Sequence, residues 1–328
     1  MAGGPTTVEL VTAASAAGAF AFLAGGYRRA SELAAEMTAV HDAGVESFGV
    51  NLFVPGRPAE DTTRLASYLA SLEAEASALG ASLGQPTWDD DDFPAKLDLV
   101  LATPPAVVSF TFGVPSTEVV RSLQAAGTLV VLTVTTPEEA ARALQAGPDA
   151  LCLQGAESGA HRGSLDNDDR PDADRPVRSL LAAVRRRTLV PLVAAGGVGG
   201  PDDVRDLFTR GATMVQAGTA FLRSAESGAP QVVKDALGAP RFAEVETVVT
   251  RAFSGRRARS LLNAFARNHR DAPAAYPEIN NATRPLRAAA VRAGDAERTS
   301  LFGGTAFAQS RAEPVAQIVE WLVSGLSR

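Results

Sequence analysis

The chain has 328 residues and a mass of 33.9 kDa, about twice the ~150-residue prior for one domain, and it is 46% hydrophobic and 21% charged. Its 31 basic and 37 acidic residues leave a net charge of -6, which excludes the global positive field that nucleic acid or an anionic membrane would need. A single cysteine, Cys152, can form no intramolecular disulfide and, with three histidines, offers no spaced metal cluster, so no metal and a reducing, cytoplasmic setting are expected.

Residues 10–27 form an uncharged run near the lower length of a membrane span. Ala and Gly fill most of it and no basic residue precedes it, so it reads as a buried helix followed by a buried strand. From residue 7 to about 222, amphipathic helical stretches alternate with short apolar runs, the pattern of a parallel sheet with crossover helices. The spacing predicts strands at 19–24, 48–53, 107–112, 129–134, 150–154, 191–195 and 213–217. Thr136, Pro137 and Glu138 open one intervening helix as N-cap, first-turn proline and first-turn acid, and Gly147 closes it.

Seven parallel strands suggest a (β/α)8 barrel of the TIM type. The opening MAGGP reads as the loop that follows a strand, which places the body of an eighth strand upstream of Met1 and makes the first strand appear truncated. An open doubly wound sheet is the rival, but no G-x-G-x-x-G follows an early strand; the glycine clusters follow the last two. Residues 1–222 are therefore expected to form the barrel, with an insertion at about 54–100, and residues 223–328 a mainly helical region that packs with the insertion as a cap. The only lysines, Lys96 and Lys234, fall in polar helical patterns, which sets aside a Walker lysine and a Schiff-base lysine. The acidic run at 166–176 reads as a solvated loop.

In such a barrel the loops after the strands carry the site, and phosphate docks after strands seven and eight. Gly196 and Gly197 follow the seventh strand and Gly218 and Thr219 the eighth; glycines lacking a Cβ let phosphate reach backbone N–H groups, and Thr219 can donate a hydroxyl. Tight turns alone are the plainer explanation of the same glycines. His161 leaves the sixth strand in a flexible loop, QGAESGAHRG at 154–163, and is the candidate base or hydrogen-bond donor to an anion. His41 and His269 read as structural or solvated. Cys152, inside a strand with no basic neighbour, reads as a small core residue.

These segments together resemble the nitronate monooxygenases, formerly 2-nitropropane dioxygenases, FMN-dependent barrels of the bacterial class. The resemblance rests on MAGGPTT at 1–7, FGVNLFVP at 48–55, VVSFTFGVP at 107–115, QGAESGAHRG at 154–163, AAGGV at 194–198, QAGTAFL at 216–222 and TRAFSGRRAR at 250–259. It implies that Met1 and Ala2 face the flavin ring, that Asn51 and Gln154 hydrogen-bond it, and that Gly159 lies in the flavin loop. It further implies that Gly196, Gly197, Gly218 and Thr219 hold the phosphate and that His161 stands over the reactive ring. Ser158 and Ala160 depart from the family's G-x-E-A-G-G-H-R-G loop, Thr111 stands where many members carry histidine, and LFGGT at 301–305 replaces a W-A-G-Q element. The implied activity is oxidation of an alkyl nitronate by O2 to a carbonyl compound and nitrite, by an enzyme that could be a homo-oligomer. An FMN-dependent enoyl-acyl-carrier-protein reductase and a non-catalytic flavin- or phospholigand-binding barrel are the alternatives.

Overall fold

A computed structural model describes residues 1–168 and 174–326. In chain order the barrel part comprises α1 (Val8–Ala16), β1 (Phe22–Ala24), α2 (Ala30–Asp42), β2 (Gly49–Phe53), α3 (Thr62–Ala78), α4 (Phe93–Ala102), β3 (Val107–Thr111), α5 (Thr117–Ala125), β4 (Leu129–Val134) and α6 (Pro137–Leu144). It continues with β5 (Ala150–Gln154), β6 (Ala160–His161), α7 (Val177–Arg185), β7 (Leu192–Ala195), α8 (Pro201–Thr209) and β8 (Met214–Gln216). The remainder holds α9 (Gln231–Gly238), α10 (Pro240–Ala243), β9 (Thr247–Thr250), β10 (Ala258–Leu261), α11 (Ala264–Asn268), α12 (Glu278–Arg292) and α13 (Val315–Val323).

Strands β1, β2, β3, β4, β5, β7 and β8 pair in that order, all parallel, in a curled sheet of the TIM-barrel type. Each of the seven expected strands is present. Within the described residues β1 and β8 are the two edges of the sheet. Alternation along the strands sorts the side chains: Val108, Phe110, Val130, Leu132, Leu151, Leu153, Leu192 and Ala194 point outward into the core beneath the helices and are fully buried. Inward lie Val131, Cys152 and Ala195, a small apolar plug. Thr111, Thr133 and Gln154 end the same inward rows, so the sheet's C-terminal mouth is polar.

Local chemistry sets the helix ends. Thr136 accepts a hydrogen bond from the Glu139 N–H at the start of α6, with Pro137 in the first turn, and Ser116 caps α5 in the same way. Helix α3 packs in a second apolar cluster, where Leu65 and Leu72 join Phe253, Phe265 and Ile279. Val100 of α4 belongs instead to the barrel core.

Three readings of the sequence need correction, and a fourth falls partly outside the described residues. Strand β3 stops at Thr111 because Phe112 has φ +77°, a left-handed residue that ends the ladder. The C-terminal region also contributes two strands, β9 and β10, which form an antiparallel sheet with β6 in which Ala258 pairs with His161, so the His161 loop is tied down. Lys96 is buried, bonded to the Gly25 carbonyl and the Asp91 carboxylate. Of the acidic run, residues 169–173 lie outside the described residues.

Candidate active site

The loops after β7 and β8 build a cradle of backbone. Gly196 and Gly197 have φ +111° and +69°, where a side chain is strained, and a Cβ on Gly196 would strike Ser158 Oγ. Gly218 precedes a 3-10 turn over Thr219–Phe221; a Cβ there would sit 3.5 Å from the Met1 sulfur. The N–H groups of Gly196, Gly197, Gly218 and Thr219 have no acceptor among the described residues. Thr219 Oγ1 accepts from the Gly304 N–H at 3.0 Å, which leaves its own proton free to donate. The turn is only three residues long, so its N–H groups, rather than a helix dipole, are what it offers an anion.

Gly159 has a packing reason to be glycine: a Cβ would run into the backbone of Gly303 and Gly304. The LFGGT segment thus docks onto the loop after β5, held by the Thr305 N–H donating to the Glu157 carbonyl at 2.9 Å. Met1 lies against Gly218, its amino group donates to Thr6 Oγ1 at 2.6 Å, and burial pulls that amine down to about 6. Ala2 is half-buried beside it.

At the polar mouth, Asn51 Nδ2 donates to Ser109 Oγ at 2.8 Å and Thr111 Oγ1 at 3.0 Å. Asn51 Oδ1 has no partner among the described residues and remains an acceptor. Gln154 is engaged by its own loop: Oε1 accepts from the Gly163 N–H and from Arg162, and Nε2 donates one proton to the His161 carbonyl. Cys152 is inert, since burial pushes its thiol up to about 12.

His161 is surrounded by rings. The centroids of Phe112, Tyr276 and Phe302 lie 5.9, 5.6 and 5.5 Å from its own. Its Nε2 is 2.8 Å from Ser254 Oγ. Burial, then the charges of Arg256 and Arg287, pull its pKa down to about 3, so the imidazole is neutral at ordinary pH. The Arg256 guanidinium stacks 3.9 Å from the Phe112 centroid and donates to the Ser164 and Arg162 carbonyls; burial lowers it to about 10. Arg287 is held by Thr283 Oγ1 and Asn280 Oδ1. No carboxylate pairs with either arginine among the described residues.

Sequence reasoning named the glycines, Asn51, Gln154 and His161, and the structure gathers them at one end of the sheet. It missed Ser254, Arg256, Tyr276, Arg287 and Phe302. TRAFSGRRAR holds Ser254 and Arg256 and LFGGT holds Phe302, both noted only as motifs; Tyr276 and Arg287 come from segments whose meeting with these no local pattern announces.

The sequence model for nitronate monooxygenase matches residues 1–325. The chain belongs to the nitronate monooxygenase family. A probable nitronate monooxygenase of Staphylococcus aureus strain MSSA476 is 32% identical over 335 residues, covering 99% of this chain and 92% of that protein. The solved nitroalkane oxidase of Streptomyces ansochromogenes superposes with a TM-score of 0.96 at 42% identity, covering 100% of this chain and 94% of that one. FabK from Thermotoga maritima, at 24% identity and a TM-score of 0.72 over 99% of this chain and 90% of that one, shows the fold alone. The protein is thus an oxidoreductase acting on nitro compounds within a flavin-dependent family, with a small-molecule substrate and oxygen as reactants. No helix among the described residues is long and apolar enough to cross a membrane.

Proposed function

We propose that the protein oxidises alkyl nitronates with O2, yielding a carbonyl compound and nitrite, with FMN seated at the C-terminal mouth of the barrel. The observation that carries this reading is the His161 chamber: a neutral imidazole among aromatic walls, flanked by two guanidinia without carboxylate ion-pair partners among the described residues. Desolvated positive charge of that kind favours an organic anion over a neutral molecule of the same shape. A nitronate is such an anion.

The cradle fits a phosphate, since four N–H groups and one hydroxyl proton lack acceptors and Gly196 and Gly197 hold angles that only glycine adopts without strain. Gly196, Gly197, Gly218 and Thr219 would hold the FMN phosphate. Asn51 Oδ1 and the second proton of the Gln154 amide would meet the ring edge, with Met1 and Ala2 against its face and Gly159 keeping the neighbouring loop close. Bound FMN supplies a two-electron acceptor that O2 reoxidises.

His161 then orients the substrate. Nε2 lies 2.8 Å from Ser254 Oγ, and in the tautomer this reading requires Nε2 accepts the Ser254 proton while the imidazole proton sits on Nδ1. Nδ1–H donates to a nitronate oxygen, Arg256 and Arg287 add positive potential, and Phe112, Tyr276 and Phe302 exclude water. An imidazole with a pKa near 3 is a weak base, which fits anion holding better than removal of a carbon-bound proton.

Anaerobic stopped-flow reduction of the flavin by a preformed nitronate tests this with His161→Leu. Losing one hydrogen bond to a charged group should raise the half-saturating concentration by about 10–100-fold and leave the limiting rate nearly unchanged. Equal half-saturation in both proteins would move the substrate out of this chamber.

A further inference from the structure

The loop after β1 and the start of α12 meet through two tyrosines. Tyr276 donates its hydroxyl to Tyr27 Oη at 3.1 Å, joining residues 249 positions apart. Both rings, with Phe53, line an outer cleft of about 470 Å³ whose rim includes Arg28, Asp89 and Arg284. Tyr276 also walls the His161 chamber: it and Phe112 flank the imidazole, Phe53 packs 4.4 Å from Phe112, and Tyr27 packs 5.6 Å from Phe53. The hydroxyl pair stands where cleft and chamber adjoin. Burial raises both phenols, Tyr27 to about 12, so each keeps its proton and the contact survives at ordinary pH.

Tyr27 is also forced into place. Its φ is +65°, a conformation a tyrosine adopts only when its surroundings insist. The restraint is visible: Asp91 Oδ1 accepts the Tyr27 N–H at 2.8 Å, Asp91 Oδ2 lies 2.8 Å from Lys96 Nζ, and the same ammonium donates to the Gly25 carbonyl. The pair, a buried lysine and a half-buried aspartate, thereby clamps the backbone on both sides of Gly26. Neither the glycine cradle nor the His161 contacts require a strained tyrosine here.

We propose that Tyr27 and Tyr276 form a selective neck that admits short, unbranched nitronates to His161, with Asp91 and Lys96 as positioning residues for Tyr27. This rests on the nitronate reading of the chamber. Two phenol rings joined at their hydroxyls would discriminate by the width and length of the carbon chain that parts them, not by charge.

Two measurements on the flavin-loaded protein test the neck. In the first, kcat/KM is compared along linear nitronates from two to eight carbons for wild type, Tyr27→Phe, Tyr27→Gly and Asp91→Asn. Glycine suits the +65° backbone and removes the ring; it should raise the ratio of long-chain to short-chain kcat/KM about tenfold. Asp91→Asn should shift the same ratio in the same direction through KM while leaving kcat for the shortest nitronate unchanged. A Tyr27→Gly profile parallel to wild type would overturn the proposal. The second readout needs no nitronate: the rate at which diethylpyrocarbonate modifies His161, read peptide by peptide against exposed His41. It should rise severalfold in Tyr27→Gly and less in Tyr27→Phe, and an unchanged rate in both would overturn the neck. A wild type that oxidises no nitronate would refute the proposed function alone, since the modification rates still decide the neck.

Discussion

His161 couples stability to pH in a way its chemistry fixes. With a folded pKa near 3 against about 6.5 in the unfolded chain, the unfolded state alone takes up the proton between those values, so stability is complete above pH 6.5 and falls as pH drops. The slope is about 1.4 kcal/mol per pH unit. Urea unfolding at pH 7.5 and 5 should therefore show wild type losing about 2 kcal/mol more than His161→Leu; equal losses would place the imidazole in a wetter setting. Beside it, Ala160 has φ +60° at a position where the resembling family carries glycine. Ala160→Gly should stabilise the fold by about 1 kcal/mol, visible as a higher Tm, because the Cβ clash of the left-handed region disappears. A lower Tm would mean that the Ala160 methyl contributes more by packing than it costs in strain. His161 was legible from the sequence because a lone histidine after a strand end is conspicuous. Its low pKa was not, because Arg256 and Arg287 reach it from segments 95 and 126 residues away.

At the scale of elements, the strands were legible because parallel strands buried on both faces leave unbroken apolar runs such as LVVLTV, matched residue for residue by β4. Short polar strands leave none. β6 is two residues long and β10 reads ARSL, so the antiparallel sheet that fixes His161 against the C-terminal region carried no periodicity to read. The loops after β7 and β8 lie between these cases: glycine spacing located the cradle, and the backbone angles give its reason. Gly197→Val should keep the helix and strand signature in circular dichroism yet lose flavin on desalting, since valine at φ +69° must displace the loop. Retention of a full complement of flavin by that variant would assign the phosphate to another loop.

For the whole molecule, the family match spans residues 1–325, so the likeness includes the segments that supply Tyr276, Arg287 and Phe302 as well as the barrel. What the chain adds is an electrostatic choice. The chamber places two guanidinia with no ion-pair partner among the described residues near a histidine too acidic to serve as an effective base, although the similar Streptomyces protein is described as a nitroalkane oxidase. Activity should accordingly follow the anionic form of the substrate. Oxygen uptake by the flavin-loaded protein, measured at one pH with a freshly prepared nitronate and with its neutral nitroalkane, tests this most directly. Nitrite-forming uptake is expected with the nitronate, and a rate about 10²-fold lower with the nitroalkane. Comparable rates with the two forms would contradict it and make His161 a working base.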